Sequence, residues 1–203
     1  MSNADFRPVI RLAILASGSG TNAQRLVEHF AGHAAVEVAL IGTDNGNAGV
    51  IQRAWALGVP LFLFDKTLLR NGELQKELAA QRIDVILLAG FMQLIPAELV
   101  RTFPKRIINI HPALLPKYGG KGMYGDRVHA AVIAAGEKES GITIHFVNEH
   151  YDEGEHIAQF HCPVLPTDTV TSLAERVHGL EHANYPAVVE KLVATGHGPR
   201  ATG

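Results

Sequence analysis

Short apolar runs alternate with stretches of helical period through the first half of the chain. Residues 9–16, 36–43, 59–64, 83–90 and 106–110 read as buried strands, with helices over 21–30, 48–58, 73–81 and 96–103 between them. Thr21 or Asn22 stands near the start of the first helix, Gly58 closes the second, and Pro96 suits the first position of the fourth. Strands that alternate with helices in this way predict an α/β protein with a doubly wound, mostly parallel sheet and helices on both faces.

The pattern changes beyond Gly120. A helix over 126–136 stops at Gly136, and residues 141–148 and 156–165 alternate like two strands of a hairpin joined by EHYDEGE. These strands predict an antiparallel addition to the sheet. A final helix fits 170–194, with Gly179 and Pro186 expected to break or bend it. No repeat, low-complexity linker or shift in composition divides the chain. One domain over 1–203 is expected, with flexible ends at 1–8 and 196–203.

Composition changes this picture little. The 203 residues are 47% hydrophobic and 19% charged, with formal net charge −2, which suits a soluble globular protein with a full core. The balance gives no basic footprint for nucleic acid. No apolar run reaches the roughly 18 residues of a membrane span, and the N-terminus lacks a signal pattern. Cys162 is the only cysteine, so no internal disulfide forms and a reducing, cytoplasmic location is expected.

Two polar stretches interrupt the apolar frame at strand ends. The first is Ser17-Gly18-Ser19-Gly20-Thr21-Asn22, after the first strand. Its glycines permit close backbone approach, and the helix that follows presents free N–H groups, so the stretch suits a phosphate. A tight turn without a ligand is the plainer alternative. A dinucleotide fingerprint would want glycine where Ala23 stands, and the second strand ends in Gly42-Thr43-Asp44-Asn45, which weakens that reading.

The second stretch is NIHPALLPKYGG, 109–120. Period-2 alternation puts Asn109 and His111 on one face of an extended segment. Asp152, in a glycine-flanked loop between two later strands, is within reach of the same sheet edge. A carboxylate beside an imidazole favours the imidazolium and raises its pKa. The imidazolium and the Asn109 amide can both donate to an oxyanion forming on an attacked carbonyl. No serine or cysteine nucleophile accompanies them, so the set suits acyl transfer by direct attack of a substrate amine.

With SGSGTN upstream, AGFMQLI before it and HFVNEHYDEG after it, NIHPALLPKY closely resembles the folate-dependent formyltransferases, in particular the glycinamide ribonucleotide transformylase family. The resemblance runs from about Ile10 to Val193. It implies a Rossmann-like fold and transfer of a formyl group from 10-formyltetrahydrofolate to the amine of 5'-phosphoribosylglycinamide in purine synthesis. It makes His111 the general acid, Asn109 the donor to the tetrahedral intermediate and a folate contact, and Asp152 the carboxylate that raises the histidine pKa and helps move the amine proton. Gly20, Thr21 and Asn22 match the segment holding the substrate phosphate, and Glu181 a glutamate contacting the ribonucleotide. Met92, Gln93, Leu94 and Ile95 match the segment lining the pterin pocket, mostly through backbone, and Arg70 a folate-contacting arginine. His129 is the counterpart of a histidine in a loop that is longer here, KGMYGDRVH. The partners implied are these two small molecules, with no nucleic acid, membrane or metal, in a monomer or weak homodimer.

Other residues have plainer readings. His145, His150, His156 and His161 fit no zinc spacing; alternation puts His145 with Thr143 and Val147, bordering the site. Lys117 and Lys121 could steer an anionic folate tail or simply be solvated, and Trp55 reads as packing. Among rival functions, a formyltetrahydrofolate deformylase is expected to carry an added N-terminal domain, a methionyl-tRNA formyltransferase a C-terminal nucleic-acid-binding domain, and sugar-nucleotide formyltransferases greater length. A nucleotide-binding module without catalysis is the rival from a different class.

Overall fold

The computed structural model describes residues 9–196. The expected flexible ends lie outside that range except for Gly196. Seven strands form one sheet: β1 (Ile10–Leu15), β2 (Val36–Thr43), β3 (Leu61–Leu63), β4 (Val85–Leu88), β5 (Ile107–His111), β6 (Glu139–Phe146) and β7 (His156–Pro163). Their order is β3-β2-β1-β4-β5-β6-β7. The first five are parallel, and β6 and β7 join antiparallel. The chain winds outward from β1 through β2 to β3, then returns to β4 on the other side of β1. The reversal leaves a crevice at the carboxyl ends of β1 and β4, where open α/β sheets bind their ligands.

The strand pleat sorts the apolar side chains into two cores. Leu12 and Ile14 of β1, Leu87 of β4, Ile108 of β5 and Ile144 of β6 face one layer. This layer is built by α1 (Thr21–Phe30), α2 (Val50–Ala56), α6 (Asp126–Ala134) and α7 (Val170–Ala194). Ala13, Leu15, Ile86, Leu88 and Ile107 face the other, built by α3 (Lys66–Arg70), α4 (Glu73–Ala80) and α5 (Ala97–Thr102). There the alternation that buries Ile107 turns Asn109 and His111 of β5, with Thr143 and His145 of β6, toward the same face. The loop after His111 covers them. The loop is clipped to β6 by Thr143, whose hydroxyl donates to Ala113 O (2.7 Å) and accepts from Leu115 N (3.0 Å) and Gln159 Nε2 (2.9 Å).

Two expectations are corrected, and one helix is added. Helix α7 runs unbroken for 25 residues through Gly179 and Pro186. Proline costs His182 O its helical partner, but Tyr185, Pro186 and Val189 are buried against the sheet and hold the helix through it. Pro96 is the cap of α5, with extended ψ of 140°, and not its first helical residue. Helix α3 was not expected. Asp65 caps it by accepting from Thr67 N and Leu68 N at 2.8 Å each, and five residues are too few to show a period.

Candidate active site

The crevice opens into a cleft of about 270 Å³. Its floor is the turn Gly18–Asn22, its walls Gly90–Met92, Asn109–Pro112 and Glu181, and its rim Gly120, Met123, Tyr124 and Tyr151. The turn is built to aim its N–H groups inward. Val50 N and Arg53 Nε of α2 donate to the carbonyls of Gly18 (3.2 Å) and Ser19 (2.8 Å), drawing those oxygens away from the cleft. Gly20 caps α1 with φ of 78°, and no side chain satisfies the first-turn N–H groups. A Cβ at Gly20 would fall within 2.6 Å of Val50, so the tight approach of α1 to α2 also requires glycine.

Asn22 Nδ2 donates to Glu181 Oε2 at 2.8 Å, tying α1 to α7 beside this floor. Glu181 is 5% exposed, and burial pushes its carboxyl up, against the opposing pull of Asn22 and His178. The other carboxylate near the turn is committed elsewhere. Asp44 accepts from Ser17 Oγ (2.6 Å) and Gln93 Nε2 (2.8 Å), while Met92 N donates to Ser17 Oγ (3.0 Å). Both Asp44 oxygens are used to lock the ends of β1, β2 and β4 together. This leaves the residue poorly placed to take the ribose of a dinucleotide.

Asn109, His111 and Asp152 converge on the cleft wall. His111 is 3% exposed. Its Nε2 donates to Tyr118 O (2.8 Å), and its Nδ1 lies 3.5 Å from Asp152 Oδ2. Asp152 sits at the tip of the β6–β7 turn with φ of 56°, a left-handed conformation that aspartate tolerates better than most residues. Its Oδ2 also accepts from Gly120 N (2.9 Å), and its Oδ1 from Asn109 Nδ2 (3.3 Å). Burial pushes the Asp152 carboxyl up, but the neighbouring His111 and the Gly120 N–H pull the other way, and the group stays below the ordinary aspartate value.

The expected rise in the His111 pKa is corrected. Asp152 and the Tyr118 carbonyl do pull it up, but burial is the larger effect and leaves it below the ordinary histidine value. The fold strips water from the imidazolium and returns only part of that loss. An oxyanion forming beside the ring would supply a second negative charge and favour protonation at that moment.

Not every expected residue enters the cleft. Met92 lines it, half-exposed, but the Gln93 side chain is turned to Asp44, Leu94 is exposed outside it, and Ile95 is buried in the second core. Arg70 lines a separate depression with Gly72, Gln75 and Pro96. His129 does line the cleft, nearly fully buried, with Nδ1 unpartnered. Sequence reasoning left His145 at the border, whereas it touches the set directly. It is 1% exposed, opposite Asn109 in the β5–β6 register, with Nε2 3.0 Å from Asn109 Nδ2 and 3.6 Å from Asp152 Oδ1. Its alternation with Thr143 was the available signal. The Tyr118 carbonyl and Gly120 N–H left none, being main-chain groups. Among the described residues no group of three or more His, Cys, Asp or Glu is arranged to hold a metal, and no helix is long and apolar enough to cross a membrane.

Comparison with known proteins agrees with this geometry. The profile of the formyl transferase family matches residues 10–189. The chain is 44% identical over 186 residues to a chloroplastic phosphoribosylglycinamide formyltransferase of Arabidopsis thaliana, covering 88% of this chain and 64% of that one. It is 34% identical over 189 residues to the phosphoribosylglycinamide formyltransferase of Bacillus subtilis, covering 90% of this chain and 94% of that one. A crystal structure of the same enzyme from Anaplasma phagocytophilum superposes with a TM-score of 0.84 at 31% identity, covering 96% and 95% of the two chains. The chain thus spans somewhat under two thirds of the plant relative and nearly all of the bacterial ones. With a family match over most of its length and the strand-end Asn, His and Asp brought together in one cleft, the chain belongs to the formyl transferase family.

Proposed function

We propose that this protein transfers the formyl group of 10-formyltetrahydrofolate to the primary amine of 5'-phosphoribosylglycinamide, a step of purine synthesis. The observation that carries the proposal is the continuity of one cleft from the Gly18–Asn22 turn to Asn109, His111 and Asp152. An anionic ribonucleotide bound on the turn would bring its amine to the three side chains. The names of the Arabidopsis and Bacillus relatives support the same substrate.

In the proposed reaction the amine nitrogen attacks the formyl carbon, and the carbonyl π pair moves onto oxygen. Asn109 and protonated His111 donate to that oxygen, a stabilisation realised mainly in the transition state. Asp152 offsets the imidazolium charge and accepts the amine proton through solvent. Collapse of the intermediate breaks the bond from carbon to N10, and N10 takes a proton as tetrahydrofolate leaves. No bond to the protein forms, in keeping with the lack of an activated nucleophile. The phosphate is held by the N–H groups of Gly20, Thr21 and Asn22 at the positive end of α1, and Glu181 contacts the ribonucleotide. The pterin lies against the main chain of Met92–Ile95 and beside Asn109, and Arg70, farther out, meets the anionic tail. The protein acts on small molecules as a monomer or weak homodimer in a reducing compartment, the cytoplasm being the natural one for a chain with a lone, buried thiol.

The test is direct. The protein is mixed with both substrates, and folate absorbance and formylated ribonucleotide are followed together. His111→Ala and Asp152→Asn should each lose roughly a hundred- to ten-thousand-fold in turnover while keeping the wild-type circular dichroism. Formyl release to water or to another amine, with none to the ribonucleotide, would overturn the assignment.

A further inference from the structure

We propose that His145, locked as a single tautomer by the turn that carries Asp152, is the positioning residue that aims the Asn109 amide at the formyl oxygen. The inference rests on the formyl-transfer reading above and assigns a fourth side chain to its machinery.

The lock begins at Nδ1. It lies 2.9 Å from Phe146 O, and a carbonyl oxygen only accepts, so Nδ1 carries the hydrogen. In the neutral ring Nε2 is then a lone pair, 3.0 Å from the Asn109 amide nitrogen. The orientation of Asn109 follows from this. Turned the other way, its amide oxygen would face that lone pair and the Asp152 carboxylate 3.3 Å away, two repulsions with no donor between them. The nitrogen therefore faces inward, with one hydrogen on His145 and the other on Asp152.

The two contacts are unequal. The 3.0 Å bond to His145 has ordinary length, while the 3.3 Å contact to Asp152 lies beyond the usual range. Asp152 also has the Gly120 N–H and His111 to satisfy it. The hydrogen on the long contact is the one a formyl oxygen can take, and the bond to His145 keeps the amide plane fixed as it does so. A side chain at position 145 without an acceptor would leave the amide free to swing toward Asp152 with both hydrogens.

Gly154 completes the device. Its backbone lies on the Phe146 carbonyl so closely that a Cβ there would overlap the oxygen, and that Cβ would stand 3.5 Å from His145 Nδ1. Phe146 N donates to Glu155 O (2.9 Å), closing the turn on the same residue. A methyl group at 154 must displace the carbonyl that fixes the tautomer. The turn thus delivers a carboxylate from Asp152 and, two residues later, the backing that sets the ring beside it.

The ring is read first in the unliganded wild-type protein, by long-range 1H–15N correlation on histidine-labelled material, with His145 assigned from His145→Gln. A protonated Nδ1 with a bare Nε2 is expected, and the opposite tautomer overturns the inference whatever the turnover. Kinetics then test the coupling. His145→Leu should lower kcat about tenfold to a hundredfold, less than loss of the oxyanion donor itself, with KM for both substrates changed less than about threefold. His145→Gln, which offers an acceptor, should recover part of the loss. In an Asn109→Ala background His145→Leu should cost little more, because its partner is already gone. Independent, fully multiplying losses would show that His145 acts on something other than Asn109 and would sink the proposal. Failure of the formyl-transfer reading appears differently, as a wild-type protein without turnover, and the ring spectrum does not depend on that result.

Discussion

Replacing Asn109 by aspartate is nearly isosteric, yet it should be worse than deleting the side chain. Asn109 Nδ2 stands 3.3 Å from Asp152 Oδ1, and the Asp152 side chain is 11% exposed. Two unit charges at that separation repel by about 5 kcal/mol at an effective dielectric constant of roughly 20. The site relieves this by taking up a proton between the two carboxylates. Alanine only removes a donor, at roughly 3 to 4 kcal/mol in the transition state. Aspartate removes the same donor and, while ionised, opposes the oxyanion. Near neutral pH the Asp variant should therefore turn over more slowly than the Ala variant. The gap should narrow as pH falls, because a protonated carboxyl regains an O–H donor. Initial rates from folate absorbance between about pH 6 and 8.5, on variants with wild-type circular dichroism, decide the matter. An Asp variant equal to or faster than the Ala variant at neutral pH, or a gap that pH does not move, would refute the reasoning.

Other consequences are as direct. The buried Tyr185 hydroxyl bridges β4 and β5 by donating to Leu88 O (3.2 Å) and Ile108 O (3.0 Å), and Tyr185→Phe leaves those carbonyls short of a donor; a loss of about 1–3 kcal/mol should appear in urea unfolding, and an unchanged midpoint would show the hydroxyl idle. Gly20→Val should damage α1–α2 packing as well as the phosphate cradle, since its Cβ meets Val50. Gly18→Ala is cleaner, having open space around it: the variant should fold normally and raise the ribonucleotide KM, and unchanged affinity by calorimetry would reduce the turn to architecture. Burial lowers the pKa of His111 and of His129. The unfolded chain therefore takes up protons first, so the stability these groups contribute is full above about pH 6.5 and lost as pH falls through their lower folded values. Glu181, raised by burial, acts in the opposite sense and offsets part of this. Melting temperature should drop between about pH 7 and 5, and less steeply in His129→Gln; an identical slope would mean that His129 contributes nothing.

Much of this was legible in the sequence because it depends on period. The residues of β2 and the full span of α7 could be read from apolar spacing alone, as could the shared face of Asn109 and His111. What could not be read depends on closeness between distant segments or on main-chain atoms. The helix Lys66–Arg70 is held by one aspartate cap and carries no period. Gln93 belongs to a segment expected to line the pterin pocket mostly through its backbone, and the reach of its side chain to Asp44, 49 positions away, is a contact that only the sheet order creates. The sign of the His111 shift failed for a related reason. The neighbouring charge was visible in the motif, whereas the burial that outweighs it comes from the loop folded over β5 and β6.

The catalytic carboxylate and the phosphate cradle hang from parts of the sheet that differ in security. The cradle follows β1, flanked on both sides and buried at every position but Arg11. Asp152 hangs from a ribbon whose outer member, β7, is the sheet margin and leaves His156, Gln159, His161 and Pro163 open to water. Margins fray at a lower free energy than centres. Fluctuations that loosen β6 from β7 would carry the carboxylate away while the ribonucleotide still had somewhere to sit. Gentle heat or dilute denaturant should then silence turnover well before ellipticity changes. Such a molecule loses its chemistry reversibly, and the persistence of its activity measures the ribbon more than the globule.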